Sequence, residues 1–155
     1  RYRVQLLESH IDDATPEQLG FLLEQLFNEG ALDAGFTPLQ MKKNRPAVRL
    51  SVVCEPLQAE YLANLIMRQS SAIGVRTSQC ERYKLVRRTA TVKTELGAAR
   101  VKLLYDGEQF LRLSAEYEDC RNLAKTSGRP LSELYRLVET AGYQQFQPEN
   151  IEDSE

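Results

Sequence analysis

A chain of 155 residues with 42% apolar and 27% charged residues has the composition of a soluble globular protein, long enough for one domain with a real core or two small lobes. Its net charge of −2 excludes a general nucleic-acid binder, so any anion site has to be local. No apolar run approaches the roughly 20 residues needed to cross a bilayer and no signal peptide opens the chain, so a cytoplasmic protein away from membranes is expected.

Residues 3–8 read as a first strand. Thr15-Pro16-Glu17-Gln18 is a helix start, with a hydroxyl N-cap, proline at the first helical position and glutamine in capping-box spacing. Leu19, Leu22, Leu23, Leu26 and Phe27 then recur on one helical face, and Gly30 is a stop. Strands are expected over 31–40 and 47–54, with the intervening residues as a hairpin connection. Pro56 is expected to open a second helix that turns Ala59, Leu62, Ala63 and Ile66 inward. Gly74 breaks the chain before a strand over 75–85. The order β-α-β-β-α-β is the split pattern of a ferredoxin-like lobe, placed at residues 1–86.

After that lobe the rhythm changes. Thr89–Thr94 and Ala99–Tyr105 read as strands around the turn Glu95-Leu96-Gly97-Ala98, and Asp106-Gly107 leads into Phe110-Leu111-Arg112-Leu113. Two helices follow: one from Glu116 to Thr126 with Tyr117, Cys120 and Ala124 aligned, and one opened by Pro130 with Leu131, Leu134, Tyr135 and Val138 on one face. The fold class is therefore α+β, a ferredoxin-like lobe followed by a β-meander and helix pair at 87–143. The acidic stretch 144–155 is expected to be frayed.

Three cysteines, Cys54, Cys80 and Cys120, are widely spaced without a Cys-x-x-Cys pair, so reduced and mostly packed thiols are expected. His10 is the only histidine, which leaves a borderline metal such as nickel few good ligands. The start at Arg1 rather than Met leads to the expectation of a domain excised from a longer protein.

Chemistry is most concentrated in Met41-Lys42-Lys43-Asn44-Arg45-Pro46, where three permanent cations and an amide crowd a strand entrance. Point charges beside a planar guanidinium suit several phosphate oxygens at once, although a solvated basic loop has the same composition. Glu8, Asp12 and Asp13 flank the first strand's exit, and Glu116, Glu118 and Asp119 open the third helix. One or two carboxylates beside such cations can hold a magnesium or manganese triphosphate, and helix capping explains the same carboxylates equally well. Ser70, Ser71, Gly74 and Arg76, at a helix-to-strand junction, can bind phosphate or ribose or can terminate a helix. Arg82, Lys84, Arg87, Arg88 and Lys93 form a basic stretch that is either a solvated face or part of the same cleft. Phosphate-loop and dinucleotide glycine motifs are absent from the sequence, and one histidine with no serine elbow argues against a nucleophilic triad.

Four segments together, Glu8 to Glu17, Met41 to Pro46, Gly74-Val75-Arg76 and Glu116-Tyr117-Glu118-Asp119-Cys120, resemble the C-terminal domain of the LarC nickel-insertion family, in order across residues 4–140. The resemblance implies a domain that binds CTP with manganese or magnesium and assembles as a homo-oligomer. The full-length enzyme would use CTP to insert nickel into a pyridinium bis-thiocarboxylate mononucleotide, giving the nickel-pincer nucleotide. Nickel, the substrate metal, would be held mainly by the missing N-terminal domain. On that reading Lys42, Lys43, Asn44 and Arg45 grip the triphosphate with Arg76, and Ser70 and Ser71 contact phosphate or sugar. Asp12, Asp13 or Glu118 hold the hard metal. Charge is neutralised at the α-phosphate while a substrate oxygen or water attacks it. Two departures stand out: His10 replaces the family's usual Asn, and Arg68-Gln69-Ser70-Ser71 replaces an acidic residue and threonines. The alternative reading is a non-catalytic regulatory or assembly module that binds a small anion or nucleotide.

Overall fold

The first strand, β1 (Tyr2–Ile11), alternates strictly enough to serve two faces: Leu7, Ser9 and Ile11 are buried, whereas Glu8 and His10 between them are not. The computed structural model describes residues 2–146. Helix α1 (Pro16–Asn28) starts as expected: the Thr15 hydroxyl accepts the Gln18 N–H, the Gln18 side chain accepts the Thr15 N–H at 2.9 Å, and Pro16 takes the first turn. It buries Leu22 and Leu26, while Phe27, expected on that face, is 45% exposed near the helix end.

Strands β2 (Asp33–Met41) and β3 (Arg45–Cys54) form a hairpin. A single 3-10 turn over Pro56–Gln58 precedes helix α2 (Ala59–Gln69), so the helix opens three residues later than Pro56 suggested. Strand β4 (Arg76–Arg82) is shorter than expected at both ends. The order across the sheet is β2-β3-β1-β4 with every pair antiparallel, the ferredoxin-like arrangement. Leu7, Leu50 and Val52 from the sheet meet Leu22, Leu26, Leu62 and Ile66 from the helices in one core. Each such aliphatic side chain contributes about 1.5–3 kcal/mol by burial.

The chain divides into two compact units between Lys84 and Leu85. In the second, β5 (Val86–Thr94), β6 (Gly97–Asp106) and β7 (Gln109–Ala115) form an antiparallel meander, followed by α3 (Tyr117–Ser127) and α4 (Leu131–Phe146). Val92, Val101 and Leu113 pack with Cys120, Leu134 and Val138. Tyr117, expected to face inward with Cys120, is 51% exposed instead. Gly142 lets α4 lie close to β7: a Cβ there would stand 2.9 Å from Leu113 Cδ2. The last helix continues through Gln144 and Gln145 to Phe146, which packs against the second core, so these residues are helical rather than frayed. The rest of the acidic stretch, 147–155, lies outside the described residues. Among the described residues no helix is long and apolar enough to cross a membrane.

Candidate functional site

The strand alternation that buries Leu7, Ser9 and Ile11 under the helices turns Glu8 and His10 to the opposite face of the four-stranded sheet, with Asp12 just beyond the strand end. Register supplies their neighbours: His10 lies opposite Arg49 of β3, and Glu8 lies opposite Ser51 of β3 and Arg76 of β4. Three arginines therefore converge on one strand, each with its own partner. Arg45 Nη1 is 3.4 Å from Asp12 Oδ2, Arg49 Nε is 3.9 Å from Glu8 Oε1, and Arg76 Nη2 donates to His10 Nε2 at 2.9 Å. The arginines are solvated and their partners half-buried, so the pairs are worth about 0–1 kcal/mol each and their fields still reach an approaching anion.

The basic hexapeptide is the hairpin turn at this end of the sheet. Met41 pairs with Arg45 in register, and Lys42–Asn44 form the tight hairpin turn between them. Lys43 (φ 60°, ψ 28°) and Asn44 (φ 53°) both sit in the left-handed region. Asparagine tolerates that conformation, but for lysine it costs on the order of 1–2 kcal/mol. Positive φ at two successive residues is what a tight hairpin turn between twisted strands requires. Among the described residues neither Lys42 nor Lys43 has an ionic partner.

The loop between α2 and β4 closes the same end. Ser70 Oγ donates to the Ile66 carbonyl at 2.6 Å and accepts the Ala72 N–H at 3.1 Å, so its proton is already committed to the loop. The Ser71 hydroxyl donates to Asp13. Ser9, a buried polar side chain, donates to the Gly74 carbonyl at 2.9 Å and fixes the far side of the loop. A cleft of about 270 Å³, lined by Asp13, Gln18, Arg68, Ser70 and Ser71, lies beside this loop. A second, of about 250 Å³, lies between Asp12, Pro16 and Pro46. A larger, open concavity of about 680 Å³ lies elsewhere, against α4 around Glu95, Arg129 and Arg136, and holds none of the motif residues.

One end of the first unit thus brings together Lys42, Lys43, Asn44, Arg45, Ser70, Ser71, Arg76, Asp12 and Asp13. Glu118 belongs to the second unit, where it pairs with Arg121 at 3.2 Å one helical turn on. Among the described residues no three His, Cys, Asp or Glu side chains converge as metal ligands. Asp12 and Asp13 are adjacent, and two carboxylates suffice for a hard divalent cation whose remaining ligands are phosphate oxygens and water.

The Glu116–Cys120 segment has a structural task. Glu116 is the N-cap residue of α3 but makes no capping bond; its carboxylate stands 3.2 Å from Lys102 Nζ and 3.6 Å from Arg87 Nη2. Asp119 accepts two bonds from the Arg100 guanidinium, both at 2.9 Å, and a third from the Arg100 backbone N–H at 2.8 Å. These bonds hold its carboxyl well below the usual carboxylate range, at about 2. Cys120 is fully buried, as is Cys54, and burial pushes both thiols up and away from nucleophilic thiolates. Cys80 is exposed. The basic stretch is shared between units: Arg82 and Lys84 lie over the Tyr2 ring, and Arg88 lies over Tyr105.

Sequence reasoning missed Arg49 and Ser9 as site residues and took His10 only as a departure. The alternation of β1 and β3 puts Arg49 beside His10, but only cross-strand register shows it.

A ferredoxin-like unit thus carries lysines, arginines and two sequence-adjacent aspartates at one end of its sheet. The chain belongs to the nickel insertion protein family, which it matches over residues 1–135. A relative from Syntrophotalea carbinolica is 48% identical over 144 residues, 93% of this chain and 36% of its own length. The pyridinium-3,5-bisthiocarboxylic acid mononucleotide nickel insertion protein of a Thermotoga species is 41% identical over 133 residues, 86% of this chain and 33% of its own. The chain thus spans about a third of the curated relatives it matches. Among solved structures, LarC2 in its apo form, the C-terminal domain of a cyclometallase involved in synthesis of the NPN cofactor of lactate racemase, superposes with a TM-score of 0.84 at 35% identity, covering 90% of this chain and 96% of that one.

Proposed function

We propose that this chain is the nucleotide-binding part of a cytoplasmic, homo-oligomeric enzyme that inserts nickel into a pyridinium bis-thiocarboxylate mononucleotide at the expense of CTP. The observation that carries this reading is the end of the four-stranded sheet, where Lys42, Lys43, Arg45, Arg49 and Arg76 share one end with Asp12 and Asp13, Arg45 pairing with Asp12, although the whole chain is acidic. The relatives' designations name the nickel chemistry, and the cation cluster supplies a place for a triphosphate.

Lys42 and Lys43 project from a turn already bent into shape and hold the outer phosphates. Arg45 and Arg76 add forked donors from either side of β1, and Asn44 offers an amide. Ser71 shares its proton between Asp13 and a sugar or phosphate oxygen. Ser70 braces the loop that carries Ser71. Asp12 and Asp13 hold a manganese or magnesium ion, which when bound neutralises triphosphate charge. Nickel is substrate, delivered by another part of a longer protein. Calorimetric titration with CTP, ATP, GTP and UTP, each with manganese, tests the reading. Micromolar, CTP-selective binding is expected; absence of binding to all four nucleotides overturns it.

A further inference from the structure

Of the three arginines that converge on β1, two are paired with a carboxylate, and the third, although Glu8 lies opposite it in register, is paired with a histidine. Arg45 is set against Asp12 and Arg49 against Glu8, whereas the Arg76 guanidinium is held by a histidine. Arginine has five donors and no acceptor, so the His10 nitrogen 2.9 Å from Arg76 Nη2 accepts in this contact, and an imidazole acceptor brings no negative charge. A carboxylate in that place would orient Arg76 and also cancel its charge. An imidazole orients it and leaves the charge whole.

The surroundings make this distinction matter. His10 is flanked on its own strand by Glu8 and Asp12, and across the sheet by Arg49 and Arg76. Glu8, directly opposite Arg76 in register, stands 3.9 Å from Arg49 Nε, and the Arg76 guanidinium instead reaches along the strand to His10.

We infer that His10 is a positioning residue that aims Arg76 while sparing its charge, which makes the Arg76 corner of this sheet end the seat for a phosphate group. The inference rests on the nucleotide-binding reading above and deepens it, because it names which cation meets the anion and why an acceptor without negative charge stands beside it.

The test compares wild type with H10N, H10L and H10D, each titrated with CTP plus manganese and, separately, with inorganic pyrophosphate. H10L removes the acceptor, and about a tenfold loss of affinity for both probes is expected. H10N restores a neutral acceptor and is expected to recover most of that loss. H10D restores an acceptor but adds negative charge, and is expected to bind more weakly than H10L. A merely structural role gives the opposite order, since Asp beside Arg76 makes the stronger pair and the firmer fold. An H10D variant that binds as well as wild type, or an H10L variant without loss, overturns the inference. Should wild type bind pyrophosphate but no nucleotide, and the pyrophosphate series keep the expected order, the nucleotide reading fails and the Arg76 seat stands. Should wild type bind neither probe, both fall.

Discussion

Asp119→Asn isolates the contact that ties α3 to β6. Asp119 accepts three hydrogen bonds from Arg100, two from the guanidinium and one from the backbone. A carboxyl lowered from its ordinary 3.8 to about 2 by those bonds corresponds to roughly 2.4 kcal/mol of added stability. The Arg100 side chain is 57% exposed, and solvent screening reduces the figure to about 1 kcal/mol. For a unit of this size 1 kcal/mol shifts Tm by about 4–8 °C. Asp119→Asn keeps an oxygen for the Arg100 N–H and should lose that amount at pH 7. Asp119→Ala leaves the N–H without this partner as well and should lose about 2 kcal/mol. The sign of the pH dependence follows from the depressed pKa. The contribution is fully present above the unfolded value near 4 and disappears as pH falls through about 2. Thermal melts followed by circular dichroism at pH 7, 4, 3 and 2 should therefore show the gap between wild type and Asp119→Asn holding to about pH 4 and then closing. A gap below about 1 °C at pH 7, or one undiminished at pH 2, refutes the reasoning.

Replacing Lys42 and Lys43 together by Ala should weaken CTP binding by about 2–4 kcal/mol by calorimetry, if each makes a charge-assisted contact; unchanged isotherms remove the turn from the site. Because Lys43 holds a left-handed backbone, Lys43→Gly should be more stable than Lys43→Ala by about 1 kcal/mol in urea denaturation, while both bind nucleotide more weakly than wild type. Gly142→Ala drives a methyl to 2.9 Å from Leu113 Cδ2, a crowding of about 1–3 kcal/mol offset by about 1 kcal/mol of helix propensity, so a net cost of about 0–2 kcal/mol is expected, read as a lower urea midpoint.

The fold was legible where local chemistry and hydrophobic period agreed. Thr15 through Gln18 announce a capped helix, and the Leu22–Leu26 spacing turns its stripe to the core, as the structure bears out. Legibility failed at element ends and at positions decided by neighbours. Phe27 continues the helical stripe in sequence but reaches the last turn, where the sheet no longer covers it. Pro56 looks like a first helical residue and instead shapes a 3-10 turn, because either geometry accepts its fixed φ. The same division holds at the site. The crowded cations of the hairpin turn were visible as composition, whereas Arg49 became a site residue only through register. Glu116 and Asp119 read as helix-capping acids, and the structure gives them to Lys102, Arg87 and Arg100 on the neighbouring strands. Sequence spacing along one helix carries no record of a partner 14 to 29 residues away.

Net charge conceals how differently the two units use their cations. On the meander, Arg87, Arg100 and Lys102 are each met by Glu116 or Asp119, so these charges are spent on holding α3 to the sheet. At the end of the four-stranded sheet the pairing is incomplete: Lys42 and Lys43 have no ionic partner among the described residues, and Arg76 leans on an imidazole. A fold seeking only stability gains little from a lysine in a left-handed turn or an arginine without a carboxylate, since each keeps like charges close at a cost. Arriving phosphate oxygens reverse that balance, because every uncompensated cation then gains a charge-assisted bond with little rearrangement of the backbone. Lys93, Arg112, Lys125 and Arg136 of the second unit also lack an ionic partner among the described residues, so it is the crowding of Lys42, Lys43 and Arg76 at one end of the four-stranded sheet, rather than the want of a partner alone, that supports the proposed anion seat there.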